Sequence, residues 1–77
     1  MIDSLKVFRL VAQHASFTRA AEFAGLTRPA VSQQVKQLEQ HFGMDLFTRN
    51  TRHVALTPAG EALLLHAERV LQAVEAM

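Results

Sequence analysis

The chain has 77 residues, a formal net charge of +1, 49% hydrophobic and 19% charged residues, and no Cys, Trp or Tyr. That length allows one small domain near the lower limit for folding alone, and the composition is that of a globular protein, not a disordered tail. The lack of Cys excludes a disulfide scaffold, a Cys-based zinc finger and a Cys nucleophile. No apolar run approaches the ~20 residues of a membrane span, and the opening MIDSLKVFRL lacks a signal peptide's basic start and long apolar stretch, so a cytoplasmic protein with no membrane partner is expected.

A first helix is expected over residues 4–14, capped by Asp3, with Leu5, Phe8, Val11 and Ala12 on one face and Lys6, Arg9 and Gln13 on the other. Ser16 caps a short second helix over 17–24, whose Ala20, Ala21 and Ala24 let another helix approach closely. Gly25 ends it, because glycine accepts the positive φ of a helix end and sharp turn, and Leu26 is expected to plug the corner. Thr27 caps a third helix with Pro29 in its first turn, where the amide has no helical partner, and Gly43 stops it after residue 42. Val31, Val35, Leu38 and Phe42 form its inner face. Arg28, Ser32, Gln33, Lys36, Gln37 and Gln40 form an outer face whose only acid is Glu39.

The apolar period then changes. Phe47, Val54 and Leu56 read as anchors of a small β-hairpin pairing 46–49 with 53–56, with Arg49, Asn50, Thr51 and Arg52 near its tip. Thr57 and Pro58 repeat the cap-then-proline start, and a long helix runs to the chain end with Gly60 as a weak spot in its first turn. Its Leu63, Ala67, Val70 and Val74 alternate by four and three, the spacing of a coiled-coil seam, and Leu64 and Leu71 widen the stripe. So small a fold has few partners for that stripe, so a homodimer through this helix is expected, with packing on the first helix using some of it.

Two helices joined by a tight glycine turn make a helix-turn-helix, here over residues 17–36. Ala21 supplies the small side chain where the helices touch, Gly25 the turn, and Val31 the inward branched residue. The second helix of such a pair enters the major groove with its N-terminal residues near base edges, and its free amides favour phosphate. Thr27, Arg28, Pro29, Ser32, Gln33 and Lys36 occupy the first part and outer face of that helix. Arg can read guanine with two bonds and Gln can read adenine with two, Ser32 and Thr27 suit phosphate, and Pro29 can meet a thymine methyl. Gln34, Gln37 and Gln40 read as a solvated helix face. Arg49 and Arg52, bracketing the hairpin tip, suit a narrow minor groove or a phosphate.

Charge follows the same division. Residues 1–57 hold seven Lys/Arg against four acids, a balance of +3, whereas residues 58–77 stand at −2. The four His residues are not spaced as metal ligands, no catalytic constellation or phosphate loop is present, and neither an enzyme, a metal nor a cofactor is expected. The remaining rival is a winged helix used for protein contact alone, against which the acid-poor face and the two wing arginines argue.

These features resemble the N-terminal domain of LysR-type transcriptional regulators, over the whole chain: Leu5 and Phe8, SFTRAA at 16–21, TRPAVSQQV at 27–35, LE at 38–39, GMDLFTR at 43–49 and LTPAG at 56–60. The resemblance implies a mainly α fold, a winged helix-turn-helix over 1–57 with its wing at 46–56, and a dimerising linker helix over 58–77. It implies sequence-specific binding of double-stranded DNA by a homodimer on an inverted repeat. Thr18 matches a usual phosphate contact of the family, and Arg28, Pro29, Ser32, Gln33, Arg49 and Arg52 match its usual contact positions. Gln is common in the family where Arg28 stands and Arg where Gln33 stands, so base preference there departs from the common motif. The resemblance further implies a missing C-terminal effector-binding domain, which would bind a small molecule and form tetramers in a longer parent.

Overall fold

A computed structural model describes residues 1–48 and 53–77. Four helices follow in order: α1 (Ile2–His14), α2 (Phe17–Ala24), α3 (Arg28–Phe42) and α4 (Pro58–Glu75). The three capped starts have the same build, a hydroxyl accepting from the amide three residues on. Ser16 Oγ accepts from Arg19 N at 3.0 Å, Thr27 Oγ1 from Ala30 N at 3.2 Å, and Thr57 Oγ1 from Gly60 N at 3.0 Å. The stops are also as expected: Gly25 and Gly43 both sit in the left-handed region, at φ 68° and 66°.

α1 differs from expectation at its start. It begins at Ile2 with Met1 as cap, and Asp3 lies inside the first turn, where its charge meets the positive end of the helix dipole. The earlier start serves Ser4, which is buried and donates a hydrogen bond to Gln34 Oε1 on α3. Gln34 is therefore not part of a solvated face. It ties α1 to the middle of α3.

α1 is the hub of the fold: α2, α3 and α4 each pack on it, α2 also packs on α3, and the backbones of α3 and α4 do not come into contact. The core joins Leu5, Phe8 and Val11 of α1 to Ala20 and Ala21 of α2 and to Val31, Val35 and Leu38 of α3. Ala67 and Leu71 of α4 close it from the far side. Leu46 and Phe47 are as deeply buried as any residue, and Phe47 packs its ring against Phe8 and Phe17 at centroid distances of 5.4 and 5.8 Å. Among the described residues no helix is long and apolar enough to cross a membrane.

Where the base of the expected hairpin falls, the described residues hold one antiparallel bridge between Phe47 and Leu56, flanked by Thr48 N donating to Ala55 O at 2.8 Å and Thr57 N to Leu46 O at 3.0 Å. Phe47 is buried, and Val54 and Leu56 pack against the core, as their spacing predicts. The tip residues Arg49, Asn50, Thr51 and Arg52 lie outside the described residues.

Three further expectations are corrected. Leu26 does not plug the corner with its side chain, which is 42% exposed; its amide does the work instead, donating to Ala21 O at 3.0 Å. Phe42 is not buried with Val31, Val35 and Leu38 of the inner face: it is 39% exposed. Glu39 is not on the outer face: it is buried, and its Oε2 accepts from Leu46 N at 2.8 Å.

Candidate nucleic-acid interface

The interface is built on the turn between α2 and α3. Ala21 is buried at the helix contact, Gly25 donates its amide to the carbonyls of Ala21 and Glu22, and Val31 has no exposed surface. Small residue, glycine and branched apolar residue thus do what their spacing predicts, and they orient α3 so that its start points out of the molecule. Thr27, Arg28 and Pro29 are exposed there, followed one turn on by Ser32, Gln33 and Lys36, also exposed.

Residues 27–36 contain two cations and no acid. Glu39, 6% exposed, keeps its Oε2 on Leu46 N and edges a depression beside this surface. That depression, of about 420 Å³, is lined by Phe17 at the start of α2 and by Pro29, Ser32, Gln33, Lys36 and Glu39 of α3. The first turn of α2 therefore borders the outer face of α3. Thr18, next to Phe17 in sequence, is exposed. Seven of the nine expected contact residues are accordingly exposed on α2, on α3 or at its cap. The other two, Arg49 and Arg52, fall outside the described residues.

The far side of the molecule is different in kind. Of the residues expected to form a dimer seam, Ala67 and Leu71 are fully enclosed by the chain's own core, with 1% and 0% exposure, and have no surface to offer a partner. That corrects their assignment: α1 uses this part of the stripe. Leu63 and Leu64 are half-buried, whereas Val70 and Val74 are exposed, as is Leu65. Met1, Leu5, Phe42, Leu63 and Val70 line an open groove of about 420 Å³ whose exposed lining is wholly apolar.

The end of α4 is pinned by charge. Arg9 of α1 donates to Glu75 Oε2 at 2.7 Å. That hydrogen bond lifts the Arg9 guanidinium further above its ordinary value and holds the Glu75 carboxyl below the usual carboxylate range.

Sequence reasoning missed the roles of four residues. Ser4 and Gln34 hold α3 to α1, and nothing in their spacing marks them as partners. Glu39 lies eight residues after Val31, a spacing that returns to the inner face of a helix, so the period itself carried the signal. Gly60 is a point of contact: a Cβ there would stand 2.1 Å from Leu46 O.

Comparison with known proteins adds to this geometry. Residues 2–61 match the family described as bacterial regulatory helix-turn-helix protein, lysR family. The chain is similar to the HTH-type transcriptional regulator CfxR of Cupriavidus necator, 55% identical over 70 residues that make up 91% of this chain and 22% of that protein. It is also similar to the HTH-type transcriptional regulator CbbR of Rhodospirillum rubrum, 47% identical over 73 residues, 95% of this chain and 24% of that one. The chain thus spans about a quarter of the length of these curated relatives. Among solved structures it is similar to the BenM DBD in complex with benA site 1 DNA, with a TM-score of 0.95 and 32% identity, covering 100% of this chain and 86% of that one.

Proposed function

The chain belongs to the bacterial regulatory helix-turn-helix proteins of the lysR family, and from that premise we propose that it binds double-stranded DNA sequence-specifically, as a homodimer on an inverted repeat, to control transcription. α3 lies in the major groove. Arg28 and Gln33 read base edges, Pro29 meets a thymine methyl, and Thr18, Thr27, Ser32 and Lys36 engage phosphates or adjacent edges. Arg49 and Arg52 act from the wing on the minor groove or backbone.

The observation that carries this reading is the exposed, acid-free face of residues 27–36. A solvated helix face with no task has no reason to exclude acids, whereas a face that meets phosphate does. The BenM structure, a DNA complex with the same fold, supports it. Dimerisation is supported by Val70 and Val74 and by the apolar groove beside α4, surface that a small soluble domain gains by covering. A two-fold pair of such domains presents two α3 helices to an inverted repeat. The same family membership supports a cytoplasmic protein, with a tetramer and a small-molecule effector belonging to a longer parent.

Salt tests the reading. Between about 50 and 200 mM salt, affinity for DNA is expected to fall about 10³-fold or more as phosphate contacts release counterions. A rival in which the face binds only protein gives no DNA binding even at low salt, and that result would overturn the proposal.

A further inference from the structure

The backbones of α3 and α4 do not touch, yet a DNA-binding dimer requires the angle between them to be fixed. Two routes join them. One is α1, on which both helices pack. The other is a node at Leu46. On the α3 side, Glu39 Oε2 accepts from Leu46 N at 2.8 Å, while the Glu39 carbonyl accepts from Met44 N at 3.1 Å and from the Gly43 amide. On the α4 side, Leu46 O accepts from Thr57 N at 3.0 Å, and Thr57 Oγ1 donates to Asp45 O at 2.6 Å while capping Gly60 N. Gly60 lies so close to Leu46 O that no side chain fits between them.

A carboxylate is a costly choice for a site with 6% exposure, since burial of charge is unfavourable unless hydrogen bonds compensate. A leucine there would extend the apolar stripe of α3. What the carboxylate supplies instead is a hold on Leu46 N, and through Leu46 on the first turn of α4. The lever is long. α4 has 18 residues and is therefore about 27 Å in length, so a tilt of about 7° at its start carries its far end about 3.3 Å. That is close to one base-pair rise of about 3.4 Å.

Resting on the DNA-binding reading above, we propose that Glu39 is a positioning residue: acting through Leu46, it sets the angle between the α3 face and α4, and so the half-site separation that the dimer accepts. It does not touch DNA, and base preference within a half-site does not depend on it.

The chain has no Cys, so Gln37→Cys on α3 and Gln72→Cys on α4, both at exposed positions, take spin labels at those two sites alone. Labelled chain diluted into excess unlabelled chain reports the α3–α4 distance by dipolar spectroscopy. The expected result is a narrow distribution for the parent and for Glu39→Gln, whose side-chain carbonyl still accepts from Leu46 N. For Glu39→Leu the distribution widens by about 3 Å, the lever displacement. Selection from DNA pools with variable spacers between inverted half-sites reads the consequence. Preference for the best spacing over its one-base-pair neighbours falls from about tenfold to about twofold in Glu39→Leu, as deformation of the DNA no longer opposes the wrong spacing. Half-site sequence stays unchanged. Should Glu39→Leu fail to fold, Thr57→Val loosens the node from the α4 side and must give the same widening. Unchanged distances in the folded variant, or widening in Glu39→Gln, overturns the proposal. Failure of the parent to bind DNA overturns the DNA-binding reading, and the label distances still decide the role of Glu39 in setting the helix angle.

Discussion

α3 and α4 start on the same sequence pattern but in different surroundings. Each starts with a threonine cap and an early proline, and each buries an apolar stripe. At its start α3 stands open: Thr27, Arg28 and Pro29 are exposed, and the Thr27 hydroxyl caps the helix's own Ala30 amide. α4 starts closed, its Thr57 hydroxyl also committed to Asp45 O and its Gly60 pressed against Leu46 O. The surplus faces differ as well. That of α3 is polar, cationic and acid-free from 27 to 36, whereas that of α4 shows Leu65, Val70 and Val74. The core-facing stripe makes the fold. The leftover face is polar in α3, which suits DNA, and carries exposed apolar residues in α4, which the proposed function assigns to a second copy.

The largest effect expected from breaking this comparison by mutation comes at equivalent cap positions. Ala30 and Gly60 both donate to their threonine caps, yet their exchange is not symmetric. Ala30→Gly costs about 1 kcal/mol through backbone entropy. Gly60→Ala, which in an open helix would stabilise by a similar amount, destabilises by about 2–3 kcal/mol because its Cβ meets the Leu46 carbonyl. Denaturant melts of the two variants measure both, and a stabilised Gly60→Ala would show that α4 starts as freely as α3.

A second substitution separates the two surplus faces. Val70→Asp places a charge on the exposed face of α4 and raises the dimer dissociation constant by about 30-fold or more, since the carboxylate would be buried without a partner. Sedimentation of the parent at tens of micromolar, about the range where such a domain pairs, shows a dimer, and the variant a monomer. Affinity for a single half-site stays unchanged. Coupled loss of both would mean that the faces are not independent.

The smallest effect is electrostatic and concerns how α4 is held to α1. Glu75 has its carboxyl lowered by the hydrogen bond from Arg9, so the folded state gains from its ionised form. That contribution is present above the ordinary carboxylate value of 4.5 and is lost as pH falls through the lowered folded value. Glu75→Gln therefore melts slightly below the parent at neutral pH, and the gap closes once both are acidified to about pH 3. A gap that persists in acid would assign the difference to packing.

Most of this was legible in the sequence where the determinant is local. Ser16, Gly25, Thr27, Pro29 and Gly43 punctuate the chain, and each governs only its own turn, so the boundaries of α2 and α3 follow from them. The exposed residues of α3 follow from its period in the same way. What stayed hidden depends on partners distant in sequence. Ser4 meets Gln34 across the core, and Gly60 is required by a carbonyl 14 residues earlier. Phe42 keeps the period of its helix yet stays 39% exposed at the helix end. The stripe of α4 does not say which of its residues α1 will take, and only packing assigns Ala67 and Leu71 inward and Val70 outward.

The central claim is that the outer face of α3 reads bases. Selection of bound sequences from a random duplex pool, run in parallel on the parent and on Gln33→Ala, tests it most directly. The parent should enrich an inverted repeat, and the variant should lose discrimination at one position of each half-site, worth about 1–3 kcal/mol, with the other positions intact. An identical enriched sequence for both chains would contradict the account.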